Sequence, residues 1–253
     1  MKPGLSIQLY TVRHEAERDF EGTIRRIADM GYRYVEPAGF PGTTPAKAAA
    51  LFKALGLECL SCHGGLPVGD DANRVIEEAQ MLGIRYIITG GPHGGWDAAL
   101  SDADAIRRTA SIYTKAAEFA KRFDIEVGYH NHDREMREID GVPAYRIFLD
   151  ETPESVLWQA DVYWVAFGGR DAVEFTREIG PRGKILHLKD GVLKTNVQLP
   201  VGSGDLDIEA ICAAAGHAEL LAVELDEFDG DMMTAVAQSY DYIIGHDLAR
   251  GSE

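Results

Sequence analysis

The chain is expected to be an α/β protein folded as a single (β/α)8 TIM barrel, on three observations. Short β-branched or apolar runs alternate with longer helical patterns from end to end, which is the signature of a parallel sheet with helical crossovers. Eight such units share 253 residues, and at about 32 residues each they match the ~30 of one strand-helix-strand crossover. No Gly/Ser linker or change of composition marks a boundary, so one domain over residues 1–253 is expected, a length α/β barrels commonly reach.

The first strand is expected at Leu5 to Leu9, followed by a helix around Phe20, Ile24 and Ile27, whose i, i+4, i+7 spacing makes one apolar stripe. That strand runs on as Gln8-Leu9-Tyr10-Thr11-Val12-Arg13, without the glycines of a dinucleotide-binding turn, which disfavours a doubly wound sheet. The second strand is Tyr32 to Glu36, and Pro45 to Leu55 is a helix with proline in its first turn and Gly56 at its end. The third strand is Leu57 to Cys62, with a helix over Asp71 to Leu82 closed by Gly83. The fourth is Ile84 to Thr89, with a long helix from about Asp102 to Phe123; the fifth is Ile125 to His130. The sixth, seventh and eighth are Val156 to Ala160, Lys184 to Leu188 and Leu220 to Leu225, and helices at Ala172 to Ile179, Ile208 to Ala215 and Asp231 to Ile244 fill the remaining gaps.

Composition bounds the function. Lys+Arg 25 against Asp+Glu 41 leaves a formal charge of −16, which repels phosphate backbones and anionic lipid and argues against nucleic-acid or membrane-surface binding. No run approaches the ~18 apolar residues of a membrane span, and no signal-like segment opens the chain; a cytoplasmic protein is expected. Cys59, Cys62 and Cys212 are an odd set. Cys59 and Cys62 form a C-x-x-C, but on a strand they face opposite sides, which disfavours a redox or zinc role.

Barrel chemistry sits where strands end, and here nearly every run ends in a polar group: Glu36, His63, His130-Asn131-His132, Asp161, His187 with Lys189, and Glu224. Alternation puts His130 with His132, His187 with Lys189, and Glu224 with Asp226 on shared faces. Asp161, His187 and Glu224 come from three successive strands and must converge on one mouth with two histidines opposite. Burying several carboxylates together is costly unless something compensates, and a divalent cation is the economical compensation. Carboxylate and imidazole ligands suit Mn, Mg, Co, Fe or Zn. Trp96 either stacks on a bound ring or caps the mouth, and Trp164 forms a substrate wall. Gly202-Ser203-Gly204 reads as a turn rather than a phosphate cradle, and the acidic run Asp226 to Asp231 as a solvated loop.

Six ordered strings carry a resemblance: Ile7-Gln8-Leu9-Tyr10-Thr11-Val12-Arg13, Gly31-Tyr32-Arg33-Tyr34-Val35-Glu36, Tyr129-His130-Asn131-His132-Asp133-Arg134-Glu135, Asp161-Val162-Tyr163-Trp164, His187-Leu188-Lys189-Asp190 and Gly202-Ser203-Gly204-Asp205-Leu206-Asp207. With Tyr240-Asp241-Tyr242 near the end they span essentially the whole chain, which resembles the sugar phosphate isomerase/epimerase family of xylose-isomerase-like TIM barrels. That resemblance implies one divalent metal, manganese favoured, held by a strand-five residue with Asp161, His187 and Glu224. Strand five departs from the family's pattern: His130 stands where ketose-epimerase-like members carry Glu, with Glu135 as the alternative fourth ligand. The two-glutamate proton shuttle of those members therefore cannot operate as such.

The reading that follows is a divalent-metal-dependent sugar or keto-sugar isomerase/epimerase, working through a metal-stabilised enediolate. His132 and Glu224 exchange the carbon-bound proton, and Glu36, His63, Lys189 and Glu135 bind substrate together with Trp96 and Trp164. The same pair suits a metal-dependent lyase or dehydratase that removes a β-substituent from a 3-keto-glycoside or inosose-like keto-sugar. A non-catalytic sugar-binding protein or partner subunit is the third reading, and a homodimer or heteromeric partner is expected. A phosphodiester-cleaving role is opposed by the net charge and by the lack of that branch's extra histidine ligands.

Overall fold

The computed structural model describes residues 2–252. Its barrel strands are β1 (Gly4–Gln8), β2 (Tyr34–Glu36), β3 (Ser61–His63), β4 (Tyr86–Thr89), β5 (Glu126–His130), β6 (Val156–Asp161), β7 (Ile185–Leu188) and β8 (Leu220–Val223). All eight run parallel in the order β2-β1-β8-β7-β6-β5-β4-β3. The sheet curls until β2 and β3 meet, with helices in the crossovers, giving the TIM barrel.

The helices form where caps and stripes coincide. Asp19 accepts from the Gly22 amide at 2.9 Å to start Phe20–Asp29, which buries Phe20, Thr23, Ile24 and Ile27 along one side. Asp102 does the same for the Ala105 amide at 2.8 Å, opening Ala103–Ala120; each such cap contributes about 1 kcal/mol. Gly83, at φ +78°, ends Ala72–Leu82 in the left-handed conformation that glycine adopts without strain. No helix among the described residues is long and apolar enough to cross a membrane.

Two sets of elements depart from expectation. Two short hairpins, Glu138–Ile139 with Val142–Pro143 and Asp190–Val192 with Val197–Leu199, and short helices such as Ala144–Asp150 and Val162–Phe167, occupy stretches with no expected element. The third strand was expected from Leu57, yet β3 begins only at Ser61. The Leu60 carbonyl accepts the amides of both Arg85 and Tyr86, at 2.8 and 3.0 Å. This doubled acceptor is bulge-like and delays the ladder.

On its other side β3 shares no continuous ladder with β2, only an isolated bridge between Tyr34 and Glu58. The two strands are held by the Val35 amide on Glu58, the Glu58 amide on Arg33 and the His63 amide on Pro37, at 3.0, 3.0 and 2.8 Å. The barrel is nearly closed, with a seam between these two strands.

Strand alternation splits the barrel interior into two halves. The lower half is an apolar plug of Tyr34, Tyr86, Ile88, Leu157, Ile185 and Leu220. Gly4 and Gly128 make room for it: a Cβ at Gly4 would lie 2.1 Å from the Tyr34 ring, and one at Gly128 2.6 Å from Ile88 Cδ1. Two residues further along the same strands the interior turns polar, and Gln8, Glu36, Ser61, His130, Gln159, Asp161 and His187 are all buried. The larger core of aliphatic and aromatic side chains lies between the sheet and the helices.

Candidate active site

Register places the polar side chains level with one another. Gln8 pairs with Glu36 across β1 and β2, His130 with Gln159 across β5 and β6, and Asp161 with His187 across β6 and β7. Asp161 ends β6 and also caps the helix Val162–Phe167, accepting from the Trp164 amide at 3.0 Å through Oδ1, which leaves Oδ2 facing the barrel axis.

His130, Asp161, His187 and Glu224 each offer a ligand atom, all within 4.8 Å of one another and all buried. Gln159 sets the donor chemistry. Its Nε2 donates to both Glu36 oxygens, at 3.2 and 2.9 Å, so its Oε1 must accept from His63 Nε2 at 2.7 Å and His130 Nδ1 at 3.0 Å. His130 therefore keeps a lone pair on Nε2, which lies 3.9 Å from Asp161 Oδ2. That Asp161 oxygen accepts no hydrogen bond of good angle, its nearest partner being the Lys189 ammonium at 2.8 Å. A free imidazole lone pair beside a carboxylate oxygen fits a divalent cation.

In this structure two internal cations already balance the acids. His187 donates from Nδ1 to Glu224 Oε2 at 2.8 Å and from Nε2 to Glu36 Oε1 at 2.7 Å. Burial alone would push this imidazole down, but Glu224 and Glu36 outweigh it and hold it up to about 10. Lys189 is completely buried, with Nζ 2.8 Å from Asp161 Oδ2, 3.0 Å from Glu224 Oε2 and 2.6 Å from Asp226 Oδ2. Four carboxylates, Glu36, Asp161, Glu224 and Asp226, thus face two cations, and the remaining negative charge suits a divalent ion. Loading one requires His187 to lose a proton and Lys189 to yield Asp161 and Glu224.

The remaining ionisations follow from surroundings. Burial raises Glu36, but His187, His63 and Ser61 reverse this and hold it at about 2. Burial raises Asp161 to about 6, Lys189 opposing while Glu224 and Asp226 add to it. Glu224 stays well below the usual range despite burial because Lys189 and His187 face it. His132 falls to about 4 through burial and the Lys189 charge, and His63 and His130 are lowered chiefly by burial. The three histidines are thus neutral near pH 7.

Above this floor is a cavity of about 490 Å3 lined by Tyr10, His63, Trp96, His130, His132, Glu224 and Asp226, among others. Trp96 stands edge-on to His132, with centroids 5.2 Å apart. His132 Nδ1 and Trp164 Nε1 are buried without partners. Trp164 lies beneath Lys189, whose Nζ is 5.3 Å from the ring centroid, and does not line this cavity.

Several side chains sit elsewhere than expected. Glu135 does not join the donor set: it accepts from the Tyr129 hydroxyl at 2.5 Å, the His132 amide at 2.8 Å and Trp96 Nε1 at 3.1 Å, so it braces the His132 loop from behind. Glu36 and Lys189, expected to grip substrate, are fully buried in the floor. Asp226 is turned inward rather than solvated, bonded to Lys189 and to Gln198 Nε2 at 2.8 Å. The Gly202-Ser203-Gly204 loop is filled from within, since Asp190 Oδ2 accepts from the Gly202 and Gly204 amides at 3.0 and 2.9 Å while Oδ1 accepts from Gly191 and Leu206 at 2.8 and 3.2 Å.

Sequence reasoning missed Gln8, Ser61, Gln159 and Gln198. The first three had a signal: Gln8 is the last residue of β1, and Ser61 and Gln159 stand two residues before His63 and Asp161 on the same inward faces.

Comparison with known proteins agrees with this architecture. A family profile described as xylose isomerase-like TIM barrel matches residues 24–225, and the chain belongs to that family. Among solved structures, a sugar phosphate isomerase/epimerase from Parabacteroides distasonis ATCC 8503 superposes with a TM-score of 0.82 at 22% identity, covering 98% of this chain and 100% of that one. An L-ribulose 3-epimerase gives 0.71 at 19%, covering 97% and 94%. A "probable 3-DHS dehydratase" of petrobactin synthesis from Bacillus anthracis gives 0.75 at 14%, covering 97% and 99%. At these identities the likeness is one of fold. No functionally curated protein matches the sequence significantly.

Proposed function

We propose, on the premise of that family membership, that this chain is a divalent-metal-dependent isomerase or epimerase of a sugar or keto-sugar. The observation that carries the reading is that His132 and Glu224 wall the same 490 Å3 cavity, directly over the His130, Asp161, His187 and Glu224 donor set. Those four residues would hold the ion, which when bound supplies Lewis-acid polarisation of a carbonyl or hydroxyl oxygen.

The chain's own residues account for the proton. His132, neutral near pH 7 and lining the cavity, has an imidazole lone pair with which to take a proton from the carbon beside the carbonyl. The C–H electron pair passes into the new C=C bond of the enediol. The newly protonated His132 returns that proton to the neighbouring carbon for isomerisation; for epimerisation Glu224, ionised at rest, would first take up a solvent proton and then deliver it to the opposite face of the same carbon. His63 Nε2 is committed to Gln159, leaving Nδ1 to accept from a sugar hydroxyl, and Trp96 offers an apolar wall to a sugar ring. Glu135 positions His132 through its backbone amide. Asp190 fills the loop between β7 and β8 where TIM barrels commonly bind phosphate, which supports an unphosphorylated substrate.

A second reading, β-elimination from a keto-sugar, is favoured by one observation: the base His132 is an imidazole, which after taking the proton is a competent acid for a leaving oxygen. Incubation of metal-reconstituted protein with aldoses, ketoses and 3-keto sugars in deuterated water tests both. Isomerisation or epimerisation gives an isomeric product carrying carbon-bound deuterium, whereas elimination releases water or an aglycone and leaves an unsaturated product. The absence of exchange and of product across all three sugar classes would sink both.

A further inference from the structure

We propose that a separate cavity of about 220 Å3 behind β3 and β4 is a second pocket that takes an aryl or short alkyl group carried by the substrate, a role that rests on the sugar reading of the mouth. The two cavities have His63 and Gly64 as common lining residues, which sets the second cavity beside the mouth, so a substituent on the sugar must pass these two residues to enter it.

The lining states the chemistry of the occupant. Phe40, Val75, Ala79, Leu82, Ile84 and Ile87 give apolar walls, and burial pushes the Cys62 thiol up, so it contributes a neutral surface. Arg74 and Glu78 are its charged residues, on the helix Ala72–Leu82; Arg74 is solvent-exposed and paired with Asp71 at 3.0 Å. An apolar group is therefore favoured inside and a charged one is not.

The fold explains why the space exists. Protein interiors are ordinarily filled to crystal density, but here the β2/β3 seam beside the cavity is joined by scattered backbone hydrogen bonds rather than a continuous ladder. Glycines stand where side chains would plug the upper rim. A Cβ at Gly39 or Gly65 would meet nothing within 4 Å, and one at Gly64 would only reach Cys62 Sγ at 3.4 Å. An apolar cavity of ~150 Å3 suffices for benzene, so this one accommodates a phenyl ring or a chain of similar bulk.

The test uses phenol, methyl β-D-glucopyranoside and phenyl β-D-glucopyranoside, titrated by ligand-observed NMR against the metal-reconstituted chain. The phenyl glucoside should bind at least about tenfold tighter than the methyl glucoside, the expected return for burying one ring, and phenol should compete with it. Val75→Phe and Ala79→Phe fill the cavity from the rim and from the wall. Each should abolish the phenyl preference while changing methyl glucoside affinity less than twofold, with melting temperatures confirming that at least one variant folds. Equal affinities in the wild type, or a preference that survives both fillings, overturns the proposal. If phenol binds the wild type and not Val75→Phe while neither glucoside binds, the pocket stands and the sugar reading of the mouth falls. If both glucosides bind equally and phenol does not, the pocket falls and the mouth reading stands.

Discussion

The lower and upper halves of the barrel interior are built from the same strands by the same alternation, yet they do opposite things. On β7, Ile185 belongs to the apolar plug, while two residues on His187 is clamped between two carboxylates. The plug gains free energy from every side chain it removes from water. In the upper half, by contrast, Glu36, Asp161, Glu224, His187 and Lys189 are all buried at desolvation cost, offset only because each charge meets an opposite one. The plug stabilises a barrel; the layer above it is tolerable only as a closed set of partners, which is why a change to one member is felt by the rest.

That contrast can be broken in graded ways. The largest effect is expected from Asp161→Asn, which removes a carboxylate charge from the donor set. Turnover in the deuterium assay should fall by roughly 10^3-fold, with divalent metal content measured by elemental analysis falling in parallel and the fold retained by circular dichroism. Full metal content in this variant would show that the donor set is wrongly assigned. Next is Lys189→Met. The metal-free protein should lose about 3–5 kcal/mol in denaturant titrations, because Asp161 and Glu224 are left uncompensated. Metal affinity measured calorimetrically should rise, since no ammonium need be displaced. A fall in both quantities would mean that Lys189 supports the metal rather than competing with it.

Ile185→Ala probes the other half. It should cost about 2–5 kcal/mol of stability as a cavity in a packed plug and leave metal content unchanged; loss of metal would show that the halves are coupled. The smallest expected effect concerns pH. His187 titrates at about 10 against an ordinary 6.5, so its contribution is fully present below pH 6.5 and is lost as pH rises from 6.5 through 10. Asp161 and Glu36, at about 6 and 2, are already ionised over that range. Chelator-treated protein should therefore melt at steadily lower temperature from pH 6.5 to 10, and His187→Gln should flatten that slope. An equal slope in both proteins would assign it to another group.

Much of this was legible in the sequence, and the parts that were not share a cause. The eight strands announced themselves by alternating apolar runs with helices, and the convergence of Asp161, His187 and Glu224 followed from their places at strand ends. Partnership was hidden. Lys189 reads as a substrate-binding group at the mouth until its three carboxylates are seen around it, and Glu135 points to the back of its loop because Tyr129, Trp96 and the His132 amide draw it there. Gln159 orients two histidines at once, but an uncharged amide inside an apolar run carries little signal. The hairpins escaped because strands of two or three residues are too short to show a period, and Asp226 because an acidic run reads as exposed until Gln198 and Lys189 turn its first member inward.

The seam between β2 and β3 gives the buried polar layer a second duty. Where a backbone ladder would ordinarily join neighbouring strands, Glu36 reaches across to the Ser61 hydroxyl and lies 3.3 Å from His63 Nε2, so side chains rivet the cylinder shut. Its weakest line therefore runs through its chemistry. Amide protons on either side of the seam should be among the first of the barrel strands to exchange with solvent, and Glu36→Gln should hasten them ahead of the rest of the sheet.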